Sequence, residues 1–168
     1  MCEFKSAIVM RNGDILAHPL TDNHEDLIRL HKLRDTKAGA FARVEFKPDR
    51  PEDLASPEKY KLTIDEQRCP DWFDEDKQLK VSETMRGWIK AMVIDGDADI
   101  IIGGCYILAK GAKVETCKSS RIVVMLDSSK VGSMRGSSNV GEMLDSSNVG
   151  AMWGSSNVGD DKRQRKSK

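Results

Sequence analysis

Histidine and cysteine, on which most metal and thiol chemistry depends, are scarce in this sequence and poorly spaced for it. The three histidines, His18, His24 and His31, lie in or beside one predicted helix. His24 and His31 would stand about 10.5 Å apart along that helix, too far for both to ligate one metal ion directly. No H-E-x-x-H accompanies them, so each reads as a surface or boundary residue and no metal is expected. The four cysteines, Cys2, Cys69, Cys105 and Cys117, form no C-x-x-C pair and lie far from the histidines. Reduced structural thiols are expected rather than a disulfide framework.

Other absences exclude whole classes of function. Lys and Arg number 27 and so do Asp and Glu, which removes the charge signature of a strongly basic nucleic-acid binder or an acidic mimic. The longest apolar run, "IIIGGCYILA" at 100–109, is interrupted by two glycines and is about half the ~20 residues that a membrane span requires. The first residues lack the basic-then-apolar layout of a secretory signal, so a cytoplasmic location is expected. No Gly-rich phosphate loop, nucleophile elbow or Ser/His/Asp grouping is present, and no cofactor is expected.

What the chain has instead is a clock. The word Ser-Ser-Asn-Val-Gly occurs three times between residues 137 and 159, nine residues apart, and the Ser-Ser pair alone recurs at 119, 128, 137, 146 and 155. Met125, Met134, Met143 and Met152 keep the same step, as do Val131, Val140, Val149 and Val158, each of these valines followed by glycine. A fixed short period marks a solenoid, in which each unit covers the apolar face of the next. The residue before each pair alternates Asp127, Gly136, Asp145, Gly154, so the period doubles to eighteen and one coil has two unlike sides.

Helix cannot satisfy this spacing. Nine residues are two and a half helical turns, so the Met stripe would swing half a circle per repeat, and repeated Gly and Ser-Ser disfavour helix as well. A parallel β-solenoid with about eighteen residues per coil follows. Val131 is expected under Val149, Val140 under Val158, Met125 under Met143 and Met134 under Met152, one strand spacing of about 4.8 Å apart. The Val and Met ladders point inward with the second serine of each pair as a small filler. Asn139, Asn148 and Asn157 are assigned to tight turns, and the glycines after Val to corners.

In period the segment resembles the two-sided parallel β-roll built from G-G-x-G-x-D-x-U-x nonapeptides. That resemblance covers about the last third of the chain and implies the eighteen-residue coil. The β-roll family binds calcium in its turns, but "GSSNVGEML" lacks the repeated turn aspartate, and Asp127 and Asp145 fall on one side only. Only the architecture is carried over.

The first half follows a different grammar. Asn12-Gly13 reads as a two-residue hairpin turn between strands "EFKSAIVM" and "DILAH". A helix follows, with Asp22 as its cap and Glu25 as the box partner. "FARVEFKP" and "YKLTIDE" read as strands, and residues 74–93 as a helix with Met85, Trp88, Ile89 and Met92 on one face. The order β-β-α-β-β-α implies a small α+β domain over 1–97 that would cover one open end of a solenoid over 98–160. A charged, unstructured basic tail over 161–168 would follow.

The acidic and aromatic run "DWFDED" at 71–76 reads as a helix start, and Asp95, Asp97 and Asp99 lack the glutamate of a calcium loop. Two functional expectations result. The first is a non-catalytic binding protein that shows a rigid, evenly spaced solenoid surface to a macromolecule, most simply a protein, with Arg135, Asn139, Asn148 and Trp153 as contact residues. The basic tail leaves nucleic acid as a weaker partner, since it has no aromatic to stack on bases. The alternative is an enzyme with its site in the α+β domain near His18, Asp22, His24 and Glu25.

Overall fold

The computed structural model describes residues 5–19, 21–34, 39–65 and 69–162. The readings made for Cys2 and for the basic residues at the end of the tail lie outside them. The chain forms two compact units, Met1–Lys90 and Ala91–Lys168. Among the described residues no helix is long and apolar enough to cross a membrane.

Among its described residues the first unit contains a four-stranded antiparallel sheet, two α-helices and two short 3-10 helices. Strands β1 (Lys5–Met10), β2 (Ile15–Leu16), β3 (Phe41–Lys47) and β4 (Lys61–Ile64) lie in the order β2-β1-β3-β4. Alternating residues give β3 a buried face, whereas β1 is buried at every position from Lys5 to Val9, and Ile8, Val44 and Phe46 are fully enclosed. Helix α1 (His24–Leu30) contributes the buried Leu27, and α2 (Glu75–Met92) buries Val81, Met85 and Ile89 along one stripe. Trp88 and Met92 are only half-buried, so the buried stripe of α2 runs one turn nearer its start than the sequence suggests.

Two local details differ from expectation. The hairpin forms where Asn12-Gly13 stands, but its connection spans residues 11–14, closed by Gly13 N–H to Met10 O at 2.9 Å and Met10 N–H to Asp14 O at 2.8 Å. Only Gly13 takes a positive φ, of 93°. Asn12 instead accepts the Asp14 N–H on its side-chain oxygen at 3.1 Å. The cap of α1 is Asn23 rather than Asp22: its side chain accepts from Glu25 N–H and Asp26 N–H, while Asp22 pairs with Lys5 at 3.5 Å. Asx side chains at adjacent positions are near-equivalent caps, and the Lys5 ammonium draws Asp22 away.

The second unit is a parallel β-solenoid of about four coils averaging about 17 residues. Strands β6 (Asp97–Ile102), β8 (Lys113–Lys118), β10 (Lys130–Arg135) and β12 (Asn148–Met152) stack into one sheet. Strands β5 (Val93–Ile94), β7 (Cys105–Leu108), β9 (Arg121–Met125), β11 (Asn139–Leu144) and β13 (Asn157–Lys162) stack into the other. Val131 pairs with Val149 and Met134 with Met152, and on the second sheet Val140 pairs with Val158 and Met125 with Met143. Val131, Met134, Val140, Met125 and Met143 form a single enclosed core with Leu108, Val114, Cys117 and Ile122. The inward serine filler is also present, since Ser120, Ser129, Ser138 and Ser147 are buried.

The coil is not uniformly eighteen residues long. Asp97 pairs with Lys113, Lys113 with Lys130 and Lys130 with Asn148, so successive coils take 16, 17 and 18 residues. One cause is visible at a corner. Between Lys118 and Arg121 the chain turns with Ser119 and Ser120, whereas between Arg135 and Asn139 it uses Gly136, Ser137 and Ser138. The left-handed residue is Ser119 in the first corner and Gly136 in the second. Gly136 therefore stacks on Ser119, and a Cβ there would lie 2.7 Å from the Ser119 hydroxyl.

Asn139, Asn148 and Asn157 are not turn residues. Each opens a strand, and none takes a positive φ. The corner has already been made by the residues before them, and their backbone N–H groups bond Ser120 O, Ser129 O and Ser138 O in the preceding coil. The glycines after valine also sit in mid-strand, not at corners. Their small size is needed there because a Cβ at Gly141 would lie 2.6 Å from Val123 O and one at Gly150 2.5 Å from Gly132 O. At these points two backbones approach too closely for any side chain.

Candidate functional site

The outward face of the β6-β8-β10-β12 sheet carries an ordered set of side chains because parallel stacking places like positions in columns. One column reads Asp97, Lys113, Lys130, Asn148. The central column reads Ile100, Thr116, Ser133, Ala151, and the Thr116 and Ser133 hydroxyls lie 3.3 Å apart. A third column begins Ile102, Lys118, Arg135. Trp153 continues it, because its backbone N–H bonds Met134 O at 2.9 Å and the Arg135 guanidinium lies over its ring at 4.9 Å.

These columns form two cationic walls beside a floor of small residues on β8, β10 and β12, with the exposed Ile100 at its β6 end. Lys113, Lys118, Lys130 and Arg135 are all exposed, and among the described residues none of the three lysines has an ion-pair partner. Glu115 is the one carboxylate between them, with Asp97 and Asp99 confined to the first strand. Apolar side chains stand at both ends of the third column: Ile102 is 64% exposed and Trp153 54%. Trp153 thus projects from the surface, covered on one ring face by Arg135.

The backbone beneath this third column is tied down from inside. Ser120 donates its hydroxyl to Lys118 O at 3.0 Å, Ser138 to Arg135 O at 2.7 Å and Ser156 to Trp153 O at 2.8 Å. At the other corner the buried Ser129 and Ser147 hydroxyls have no hydrogen-bond partner among the described residues. The two corners of the coil therefore differ, and the serine-braced one carries Lys118, Arg135 and Trp153.

Of the four expected contact residues, Arg135 and Trp153 come together at one edge of this face, Asn148 stands in the column at its other edge, and Asn139 opens β11 on the other sheet. Lys113, Lys118, Lys130 and Ile102 were not anticipated. Aligning the chain on its serine pairs places Lys118 opposite Gly136. The shorter corner moves it into register with Arg135.

The residues expected for the enzyme reading occupy the first unit. His24 is buried, with Nδ1 3.0 Å from an Asp65 carboxylate oxygen and Nε2 3.1 Å from Val44 O, which corrects its placement at the surface or boundary. It lies on the first turn of α1, on the same side as Leu27, so the stripe that packs on the sheet carries it inward. Glu25 faces Arg43 at 3.9 Å, and Lys5 donates to His18 O at 2.5 Å while pairing with Asp22. The aromatic residues of 71–76 have structural roles. Trp72 Nε1 donates to Gly39 O at 2.7 Å, and Phe73 is buried.

Cys117 is a buried free thiol. Among the described residues no three His, Cys, Asp or Glu side chains gather closely enough to hold a metal ion. Comparison of the chain with family models, with curated proteins and with solved structures finds no match.

Proposed function

We propose that this is a non-catalytic binding protein that offers the outward face of the β6-β8-β10-β12 sheet to a macromolecular partner. The observation that carries this reading is the Arg135–Trp153 pair, 4.9 Å apart on an exposed, rigidly stacked surface. Arg and Trp are the side chains most often found at the energetic centre of protein interfaces. The backbone carbonyls of the two residues accept hydrogen bonds from the buried Ser138 and the half-buried Ser156, and the guanidinium–ring contact orients the side chains, which lowers the ordering needed on association. The engagement of both His24 ring nitrogens supports binding over histidine-based catalysis in the first unit.

Photo-crosslinking in the native host tests the proposal. With p-benzoylphenylalanine replacing Ala151 on the face, illumination should give a discrete adduct heavier than the chain. Replacement of Glu83, exposed on α2, should give none. Equal labelling from both positions, or from neither, would count against a dedicated binding face.

A further inference from the structure

The column formed by Ile102, Lys118, Arg135 and Trp153 has a definite spacing, and spacing selects a ligand. Neighbouring strands of a sheet stand about 4.8 Å apart, so Ile102 and Trp153, three strands apart, are separated by about 14 Å. The midpoint between Lys118 and Arg135 lies about 7 Å from either end. An extended polypeptide repeats its side chains on one face every two residues, about 6.8 Å, so positions i, i+2 and i+4 span about 13.6 Å. The two rulers agree. We infer that this column binds an extended peptide segment of the pattern apolar-x-acidic-x-apolar, lying along the solenoid axis. This rests on the binding function proposed above.

In that arrangement the first apolar side chain covers Ile102, which exposes more of itself than any other large apolar residue of the second unit. The acidic side chain falls between the Lys118 ammonium and the Arg135 guanidinium. Arg135 is already oriented by its contact with the tryptophan ring, which leaves its remaining N–H donors for a carboxylate. The last apolar or aromatic side chain packs on the open face of Trp153. The floor beside the column, Thr116, Ser133 and Ala151 with Gly132 and Gly150, is low enough to let a backbone lie close. Thr116 and Ser133 add hydroxyls that can meet its polar groups.

Charge selects the partner's sign, and the apolar ends select its kind. Four cations against Glu115 favour an anion on the β8 and β10 rows, whereas Asp97 and Asp99 oppose a long anionic polymer that continues across the first strand. A single nucleic-acid strand would also find only one aromatic platform, half covered by Arg135, and would place phosphate over Ile102. A short segment with one acidic residue between two apolar ones meets every feature.

The test uses the full chain and a fluorescein-labelled nonapeptide with Leu-Ser-Glu-Ser-Phe between Gly-Ser flanks, followed by fluorescence anisotropy. The same peptide with Lys replacing Glu, and a twelve-residue oligothymidylate, serve as comparison probes. The Glu peptide should bind at least about tenfold more tightly than the Lys peptide, as expected when one exposed charge between two cations is reversed. Arg135→Glu and Lys118→Glu should each remove that preference, and Trp153→Ala should weaken both peptides. Lys80→Glu on α2 should change nothing. Circular dichroism establishes that each variant is folded.

Equal binding of the two peptides, or no binding of either, overturns the inference. Tighter binding of the oligothymidylate that is lost in Arg135→Glu also overturns it, yet leaves the face as a binding surface. Loss of the proposed function itself would show separately, as absence of face-specific crosslinking.

Discussion

Ser138 donates its buried hydroxyl to the carbonyl of Arg135 at 2.7 Å, with Cys117 O of the coil below 3.1 Å from the same oxygen. The interior of the coil is thereby tied to the exposed cation above it. Ser147, nine residues later and equally buried, has no such partner. The two serines occupy the same place in the repeated word but should respond oppositely to removal of the hydroxyl. Ser138→Ala loses a hydrogen bond and should destabilise the protein by about 1 kcal/mol. Ser147→Ala removes a polar group that was buried without a partner and should leave stability unchanged or raised. Urea denaturation midpoints compare them directly.

The Val-Gly step gives a second prediction. A methyl group at Gly141 would lie 2.6 Å from a backbone carbonyl oxygen that cannot move without disturbing the adjacent coil. Gly141→Ala should cost about 1–3 kcal/mol, the usual range for forced overpacking. Gly87 lies within α2 and faces open space. Gly87→Ala should stabilise by about 0.5–1 kcal/mol through helix propensity. Chemical denaturation of the two variants should therefore shift in opposite directions.

The methionine ladder is enclosed below and open above. Met134 is fully buried, while Met152, its partner in the next coil, is 40% exposed. Truncation of the first should leave a cavity and cost about 2–5 kcal/mol. Met152→Ala has less contact to lose and should cost well under half as much. Thermal melts of the pair would show whether the column loosens toward its last coil.

Two carboxylates link stability to pH. Asp74, at the start of α2, is held below the ordinary carboxylate range first by its hydrogen bond from the Lys77 side chain and then by the Lys77 backbone N–H. Asp127 is lowered by the Ser128 hydroxyl and next by Lys110. A lowered folded value means the charged form favours the native state. That contribution is complete above the ordinary carboxylate value of about 4 and disappears as pH falls through the folded value. The double variant Asp74→Asn, Asp127→Asn should lose stability at pH 7 and less at pH 3, flattening the acid limb of the stability curve. At position 74 Asn can still accept the Lys77 backbone N–H, so the change there reports mainly the charge. Urea midpoints at the two pH values provide the measurement.

Much of the fold was legible because repetition constrains geometry. A nine-residue period with Val and Met at fixed places cannot keep one face on a helix but does on stacked strands. The partners Val131–Val149 and Met125–Met143 follow from that alone. The strands at Phe41–Lys47 and Lys61–Ile64 and the helix at Glu75–Met92 were readable for the same reason, namely strong periodicity over several residues. The cap of α1 was misplaced by one residue, because Asp22, Asn23 and the residues after them offer nearly equal capping chemistry. The choice depended on Lys5, distant in sequence.

The residue pattern by itself determined that the second unit is a two-sided coil, which side chains fill it, and that the second serine of each pair turns inward. Tertiary structure alone decided which exposed residues stand beside one another. Ser119-Ser120 and Gly136-Ser137-Ser138 turn the same corner with different numbers of residues. Hydrogen bonds between coils then slide Lys118 under Arg135, and with it Ile102. The apolar ladders tolerate that slip because Val114 and Cys117 move with their strand and still stack on Val131 and Met134, so nothing in the period records it. The outer surface, and any partner that reads it, depends on it.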